Sequence, residues 1–237
     1  MIQVEGIFSG GSAISAPIIG EDFNWSGSDG TYQVLDDGGG NWRIKFLSSG
    51  TFTPLKNMVI DVFLVGGGGG AGSSYCGEGG AGYTTTVRSV VLTANTAYSI
   101  VVGAAGTNGN PSSAGGETTA FTASAAGGKN TSNGTSSSKR PGGAGGSGGA
   151  GYVSPVATTT GGTDGGDGTS SATTGGKGQG TTTREFGEAD GTLYASGGGS
   201  NLTATVSNSG NGGRNGITSI APADGIVVIR QHKEVAA

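Results

Sequence analysis

The residue types that enzymes use for catalysis are few in this chain and poorly spaced for it. Residues 145–149, Gly-Gly-Ser-Gly-Gly, match the Gly-x-Ser-x-Gly pattern in which some hydrolases carry a nucleophilic serine. This serine lies inside a glycine run, however, and not between a strand and a helix. A nucleophilic serine needs a base such as histidine, and the single histidine, His232, lies in a polar tail. We therefore predict that the protein is not an enzyme and has no catalytic residues.

Metal and cofactor chemistry finds equally little support. The single cysteine, Cys76, excludes a multi-cysteine metal cage. Asp164 and Asp167 lie in a Gly/Asp-rich stretch, but this pattern occurs once, whereas calcium-binding repeats recur. Lys177 is followed by Gly178 and not by Ser or Thr, so no phosphate-binding loop is formed there. We expect no cofactor and no metal, with the two aspartates solvated.

Composition limits both the partners and the core. Of the 237 residues, 54 are Gly, 12 are basic and 16 are acidic, and no basic block exists that would neutralise the phosphates of a nucleic acid. No apolar run is long enough for membrane insertion. Residues 1–5 show no secretory signal, so we expect the chain to be made in the cytoplasm. Residues 103–216 hold only nine large apolar side chains, too few for a conventional core.

The strands that the sequence predicts lie mainly near its two ends. Residues 32–35 and 42–47 flank a turn sequence and predict a hairpin, with Trp, Ile and Phe of the second strand on one face. Residues 58–65 are apolar on both faces except for one aspartate, which is typical of a central strand. Residues 225–230 predict a last strand that pairs near them. A further hairpin is predicted from residues 83–92 and 98–102.

A three-residue period marks the glycine runs. In residues 142–151 the only non-glycine residues recur at every third position. Three residues per turn is the period of the polyproline II conformation. Where the other two ridges carry only glycine, neighbouring segments can approach until their peptide groups form hydrogen bonds. We predict a bundle of polyglycine II helices over residues 66–216, and prefer it to a flexible Gly/Ser linker because Pro and Glu are scarce.

The turns between the glycine runs alternate in composition. If each run is one pass between a β-structured base and a far end, the far turns are rich in Ser, Thr and Asn. The base turns then carry most of the Val, Ile, Phe and Tyr. The far turns are predicted at residues 73–76, 107–113, 129–141, 169–174 and 200–209.

The predicted fold class is mainly β with non-regular secondary structure. We expect a β-structured base, made of N- and C-terminal strands, that carries the glycine-rich bundle. Residues 1–57 are predicted to be an N-terminal β attachment region, and residues 58–237 a glycine-rich domain.

Several stretches resemble a known group of proteins. They are residues 41–47 (Asn-Trp-Arg-Ile-Lys-Phe-Leu), residues 61–70 (Asp-Val-Phe-Leu-Val and five glycines), residues 181–188 (Thr-Thr-Thr-Arg-Glu-Phe-Gly-Glu) and residues 225–230. They resemble glycine-rich proteins of phages and prophages of Gram-positive bacteria. The glycine-run architecture is similar to that of the distal tail-fibre adhesins of T-even-like phages. This resemblance implies a polyglycine II sandwich in the virion whose far loops bind a receptor on the host surface.

The candidate receptor-binding residues are those expected on the far turns. Tyr75 is an amphipathic side chain among small polar residues, a combination that carbohydrate or protein recognition uses. Residues 129–140 carry three basic side chains that suit an anionic polymer such as a phosphate-bearing wall glycan. A solvated loop is the alternative interpretation of each residue. The predicted set is Tyr75, Asn108, Asn110, Lys129, Asn130, Lys139, Arg140, Asn201 and Asn208.

The second concentration of charge is expected at the base. Arg184, Glu185, Phe186 and Glu188 fit either a receptor patch or an ion pair beneath the bundle, and the turn scheme favours the ion pair.

The leading hypothesis is a phage or prophage tail-tip or tail-fibre adhesin, located in the virion. Its expected partners are a host cell-surface glycan or protein and other tail proteins, and a homo-oligomeric state is left open. The alternative is a purely structural virion component, such as a tail spike, neck or capsid decoration, without receptor binding.

Overall fold

The computed structural model describes residues 16–134, 140–151, 167–168, 176, 183–199, 202–215 and 219–232. Within them the fold is mainly β, as predicted, with one 3-10 turn at Glu185–Gly187. No helix in this part of the chain is long and apolar enough to cross a membrane. The strands are β1 (Phe23–Trp25), β2 (Tyr32–Gly38), β3 (Asn41–Phe46), β4 (Gly50–Pro54), β5 (Met58–Val65), β6 (Thr84–Leu92), β7 (Tyr98–Val101), β8 (Thr118–Ala120), β9 (Ala123–Ala125) and β10 (Ile226–Gln231).

Two five-stranded antiparallel sheets form the base. The first sheet has the strand order β1-β4-β7-β8-β9, and the second has the order β2-β3-β10-β5-β6. Aromatic rings fill the space between them: Phe52 stacks on Phe23 with centroids 5.4 Å apart and meets Phe46 edge to face at 5.6 Å. All three rings are fully buried. Apolar burial of this kind, worth about 25 cal/mol per Å², holds the two sheets together.

Three predictions about the strands are confirmed. β2 and β3 form the predicted hairpin, and the Trp, Ile and Phe of β3 face the core. β5 is a central strand, between β10 and β6, and β10 is its predicted late partner. Because β5 is covered on both sides, its Phe63 faces away from the core and packs against Phe186 and Tyr194, with centroids 6.0 and 5.5 Å away. Residues 183–195, which lie over this outer face of the second sheet, are called the cover segment below.

The second predicted hairpin is wrong. β6 and β7 both form, but β6 pairs with β5 in the second sheet, whereas β7 lies between β4 and β8 in the first. Pairing with the long apolar β5 gives β6 a longer ladder than the four residues of β7 could offer. The turn between them therefore crosses from one sheet to the other. Asn95 anchors it by donating its amide to the Pro54 carbonyl at 2.7 Å.

Strands on the two sides of position 57 share both sheets. β3 lies between β2 and β10, and β4 lies between β1 and β7. The described part of residues 1–57 is thus built into the same base as the rest of the chain.

The glycine runs leave the sheets and return to them, and their backbone hydrogen bonds repeat every third residue. In residues 66–70, successive amides donate to three different neighbouring segments, and the fourth and fifth return to the segments of the first and second. Three residues per turn produces this pattern. The polyglycine II hypothesis requires it, and the helical conformation itself stays a prediction. The pairs are Gly66–Tyr83, Gly67–Gly116, Gly68–Ala223, Gly69–Gly80 and Gly70–Ser113, at 2.8 to 3.0 Å.

Most glycines in these runs have no room for a side chain. A Cβ atom on Gly68 would overlap the Asn211 carbonyl, and one on Gly115 would overlap the Gly67 carbonyl. The obstacle is therefore backbone, which cannot rotate away. Gly116 differs, since the nearest atom to an added Cβ lies 3.0 Å away. The bundle is close-packed through peptide groups where other proteins use side chains.

The period-three run at residues 142–151 is two passes, not the single pass that the sequence suggested. The amides of Gly143 and Gly146 donate to the carbonyls of residues 78 and 81, so this half runs parallel to that segment. The amides of residues 78 and 81 donate to the carbonyls of Ala150 and Ser147, so the second half runs antiparallel to it. The chain reverses at residues 146–147. The period cannot reveal this turn because small residues serve both the passes and the turn. Residues 152–160, where a single pass over 142–151 would reach its turn at the base, lie outside the described residues.

Ser147 at this reversal gives a first testable prediction. The residue is fully buried, and its hydroxyl has no hydrogen-bond partner among the described residues. An unsatisfied buried hydroxyl costs about 1–3 kcal/mol. Alanine keeps the Cβ atom of the serine and removes only the hydroxyl, so Ser147→Ala is expected to raise the free energy of unfolding by about 1 kcal/mol. Urea denaturation measures the change. A loss of stability would contradict this account of the hydroxyl.

Candidate functional site

The loops at the far end of the glycine runs are tied together by one asparagine. Residues 72–76, 108–113 and 130–134 are called the distal loops below. Asn133 accepts the Ser73 amide through Oδ1 at 2.7 Å and donates through Nδ2 to the Ser73 hydroxyl at 3.0 Å. The Gly134 amide donates to the Ser74 carbonyl at 3.1 Å. The first distal loop is therefore fixed to the third.

A buried threonine extends this network. Thr131 accepts the Gly72 amide on its hydroxyl at 3.0 Å and donates the hydroxyl proton to the Gly77 carbonyl at 2.5 Å. The Ser112 hydroxyl donates to the Thr131 carbonyl. Asn130 donates from Nδ2 to the Ser112 carbonyl at 2.9 Å. All three distal loops thus belong to one hydrogen-bonded unit, which limits the conformations open to each of them.

Four of the predicted receptor-binding residues are exposed at this end. Tyr75 is 44% exposed and has a φ of 47°, a left-handed conformation that is uncommon for a residue with a side chain. Asn110 and Lys129 are exposed, and Asn130 is exposed while its amide bonds to Ser112. The structure therefore brings a tyrosine and polar side chains onto neighbouring loops.

Asn108 is on a distal loop but points inward. Its Oδ1 accepts the Ala71 amide at 2.8 Å. Its Nδ2 donates to the carbonyls of Arg214 and Ile220, at 3.0 and 2.9 Å. These bonds to three backbone groups use the side chain to hold the scaffold.

The predicted distal position of Asn208 is wrong. Its Nδ2 donates to the carbonyls of Leu47 and Gly225 at 2.9 and 2.8 Å, next to the ends of β3 and β10. Residues 202–209 return from the far end to the base, and Asn208 ties this return to the sheet.

Of the three remaining predicted residues, Arg140 alone belongs to the described part of the chain. Lys139 and Asn201 lie outside the described residues, as do the far turn at residues 169–174 and Asp164. Arg140 is half-buried, and its Nε atom is buried without a hydrogen-bond partner.

A buried carboxyl group lies directly below the distal loops. Glu78 is 5% exposed, and its Oε2 accepts the Asn215 amide at 2.6 Å. Asn215 in turn donates from Nδ2 to the Gly72 carbonyl. Burial raises the pKa of Glu78 to about 7, although the Asn215 amide and the charge of Arg214 act in the opposite direction. Glu78 is thus linked through one residue to the first distal loop and titrates near neutral pH.

The ion pair expected at the base is confirmed for the two glutamates, but their partners are basic residues of the strands, whereas Arg184 donates to the Gly191 carbonyl at 3.1 Å. Glu185 is 2% exposed and pairs with Arg43 at 2.5 Å and with Lys45 at 3.3 Å. Glu188 pairs with Arg230 at 2.7 Å. These three ion pairs attach the cover segment to β3 and β10. Arg43, Glu185, Glu188 and Arg230 also line a cavity of about 280 Å³. In the part of the chain that the structure describes, no group of three or more acidic, His or Cys residues is placed to hold a metal ion.

A further cluster was not anticipated from the sequence. Asp61 of β5 is fully buried and contacts Arg88 at 3.0 Å, Arg230 at 3.2 Å and His232 Nδ1 at 2.6 Å. Burial favours a higher pKa for Asp61, but hydrogen bonds from His232, the Ser89 amide and Arg230 outweigh it and hold its pKa below the usual value. The aspartate in the middle of an apolar strand was the signal for a buried ion cluster.

Ser89, His232 and Asp61 have the residue types of a hydrolase triad, but their geometry differs from one. The Ser89 hydroxyl oxygen lies 3.0 Å from His232 Nε2 and 3.4 Å from Nδ1. Since it is nearly as close to one ring nitrogen as to the other, it does not lie along the direction of the Nε2 lone pair. Proton transfer from the serine requires that lone pair. The contacts therefore serve the ion cluster and give Ser89 no aligned base.

Comparison with known protein families identifies a relationship. A family model described as a glycine-rich domain matches residues 47–230, well over half of the chain. The matched range begins at the end of β3, includes the described glycine runs and the distal loops, and ends within β10. The curated proteins that were compared include no match.

Proposed function

Since the chain belongs to the glycine-rich domain family, we propose that its glycine runs are a scaffold for the distal loops and that the protein is a phage or prophage tail adhesin. The loops bind a glycan or protein on the host cell surface. The observation that supports this is that hydrogen bonds link the three distal loops into one unit, and that these loops lie away from the sheets. Loops ordered before binding lose little conformational entropy when a receptor is bound.

The surface of the distal loops suits an uncharged, hydroxyl-rich receptor. Ser73, Ser74, Tyr75, Asn110 and Asn130 are all exposed there. Amides and hydroxyls donate and accept hydrogen bonds, and the tyrosine ring offers an apolar face with a polar tip. A cell-surface glycan presents complementary groups. Lys129, which is exposed beside these loops, adds attraction for an anionic glycan.

The base is proposed to join the protein to other tail proteins. Both sheets lie at the end opposite the distal loops. Several copies on one particle would turn weak single contacts into firm attachment.

The test is a double substitution on the distal loops. Tyr75→Ala with Asn110→Ala removes the aromatic face and one exposed amide, and binding of the labelled protein to a panel of Gram-positive cells and purified wall glycans is expected to fall about tenfold or more. Ser99→Ala, an exposed change on β7 at the base, is the control and is expected to bind normally.

The same measurement separates the alternative function. The adhesin proposal fails if the double variant binds cells and glycans as the wild type does. It also fails if the purified wild-type protein binds none of them while a phage particle that carries it still adsorbs to the cells. A structural virion component without a receptor is then the better description.

A further inference from the structure

β2 is an edge strand without the protection that the other edges have. β1 and β9, which end the first sheet, have three residues each. β6, the other edge of the second sheet, contains a bulge opposite Asp61 in which Ser89 takes a φ of 57°. Short or bulged edges resist pairing with another chain. β2 pairs regularly over residues 32–36 and shows an irregularity only beyond them.

The register shows which backbone groups of β2 face outward. The Leu47 amide donates to the Thr31 carbonyl at 2.8 Å, so residues 31, 33 and 35 direct their backbone groups toward β3. Those of Tyr32, Val34 and Asp36 point away from it. Among the described strands β2 pairs with β3 alone, which leaves these outward groups available for a further strand.

An apolar groove adjoins this edge on the outer face of the second sheet. Its volume is about 280 Å³, and Gln33 of β2 lines it together with Leu193 and Val206. The side chains of Leu193 and Val206 are 39% and 57% exposed. Exposed apolar side chains that line a groove beside an open edge indicate a surface that another chain covers.

We propose that β2 pairs antiparallel with β2 of a second copy of this chain, centred on Val34, so that the two second sheets become one continuous sheet. This register places Val34 opposite its own equivalent and Tyr32 opposite Asp36 of the second copy, so all three outward residues exchange hydrogen bonds. Registers centred one residue to either side satisfy fewer of them.

The side chains favour a second copy of this chain over an unrelated strand. A two-fold axis needs a strand that complements itself, and residues 32–35 carry no charge. Asp36 meets a tyrosine and not another carboxylate. Asp37 is already neutralised by Arg43 at 2.7 Å. On the outer face, Leu35 of the second copy lies opposite Gln33 and next to the groove.

The first test measures mass in solution. Sedimentation equilibrium of the full chain is expected to give twice 22.7 kDa at high concentration. Leu35→Lys places a charge at the joint and is expected to give the monomer. The control is Val101→Lys, an exposed apolar residue of the first sheet, which is expected to remain dimeric. A monomeric wild type, or a dimer that Leu35→Lys leaves unchanged, would overturn the proposal.

The second test examines the register. Residues 33 and 35 of the two copies form a non-hydrogen-bonded pair, whose Cα atoms lie about 4.5 Å apart, within reach of a disulfide. A mixture of Gln33→Cys and Leu35→Cys proteins is expected to cross-link on oxidation, whereas each protein alone is not. Cys76 is buried and remains in both. Circular dichroism checks that both variants fold. Equal cross-linking of a single variant with itself, or none in the mixture, would exclude this register.

Discussion

Gly115→Ala is expected to unfold the glycine-rich bundle, whereas Gly116→Ala is expected to leave it nearly as stable as the wild type. At position 115 the new methyl group would overlap the Gly67 carbonyl. That carbonyl accepts the Gly128 amide at 2.9 Å, and the Gly115 amide donates to the Gly128 carbonyl at 3.0 Å. The methyl group cannot be accommodated unless these hydrogen bonds break, so the loss should exceed the roughly 1–3 kcal/mol of ordinary overpacking.

Gly116 is the matched control because it lies in the same pass. Its closest neighbours for an added Cβ are at 3.0 and 3.4 Å, which a small shift relieves. Alanine also lowers the entropy of the unfolded chain, a gain of about 0.4–1 kcal/mol. We expect a change within about 1 kcal/mol of zero. Urea denaturation measures the free energy of unfolding of both variants. If Gly115→Ala lost as little stability as Gly116→Ala, the bundle would be loosely packed.

Amide hydrogen exchange tests the packing of the bundle in the wild-type protein. Amides that bond between passes, such as those of Gly68 and Gly80, should exchange slowly because opening requires neighbouring segments to separate. Exchange at the rate of an unfolded peptide would contradict the packed bundle and the polyglycine II hypothesis together.

Glu78→Gln is expected to stabilise the protein at pH 8 and to have little effect at pH 4. In the folded protein the pKa of Glu78 is about 7, against an ordinary value of 4.5. Between these values the unfolded chain releases a proton that the folded chain keeps, so the wild type loses stability as pH rises from about 4.5 to about 7. The full loss is of the order of 3 kcal/mol. Glutamine carries no charge at any pH and can still accept the Asn215 amide.

The measurement is the free energy of unfolding of both proteins across this pH range. The curves should coincide below pH 4.5, separate up to about pH 7 and run parallel above it. Glu117→Gln, at an exposed position near the base, is the matched control for the loss of one acidic side chain. If Glu78→Gln destabilises the protein at pH 8, the carboxylate has a partner that favours its charged form.

The strands were predictable because their side chains carry the signal. Apolar runs and alternation identified β5, β10 and the hairpin of β2 and β3. The pairing of β6 and β7 was not predictable from neighbouring sequence, since it depends on how long a ladder each strand can form elsewhere. The reversal at residues 146–147 was not predictable either, because glycine occupies both the passes and the turn between them.

The distal site shows a similar limit. Composition identified the loops, but Asn108, Asn110 and Asn133 look alike in sequence, and only the fold separates the exposed Asn110 from the two that hold the backbone. Asn133, the main link between two distal loops, was not among the predicted residues. The ion cluster around Asp61 and His232 joins residues far apart in the chain, so spacing could not reveal it.

The place of β10 has a consequence for how the protein is made. This late strand lies between β3 and β5, which came off the ribosome long before it. Until residues 226–231 leave the ribosome, the edges of β3 and β5 that pair with β10 have no partner, and the second sheet is incomplete. Folding must therefore wait for the end of this segment, as long-range pairing generally does. A nascent chain interrupted earlier would expose apolar strands to proteases, so cellular quality control would remove incomplete copies before assembly.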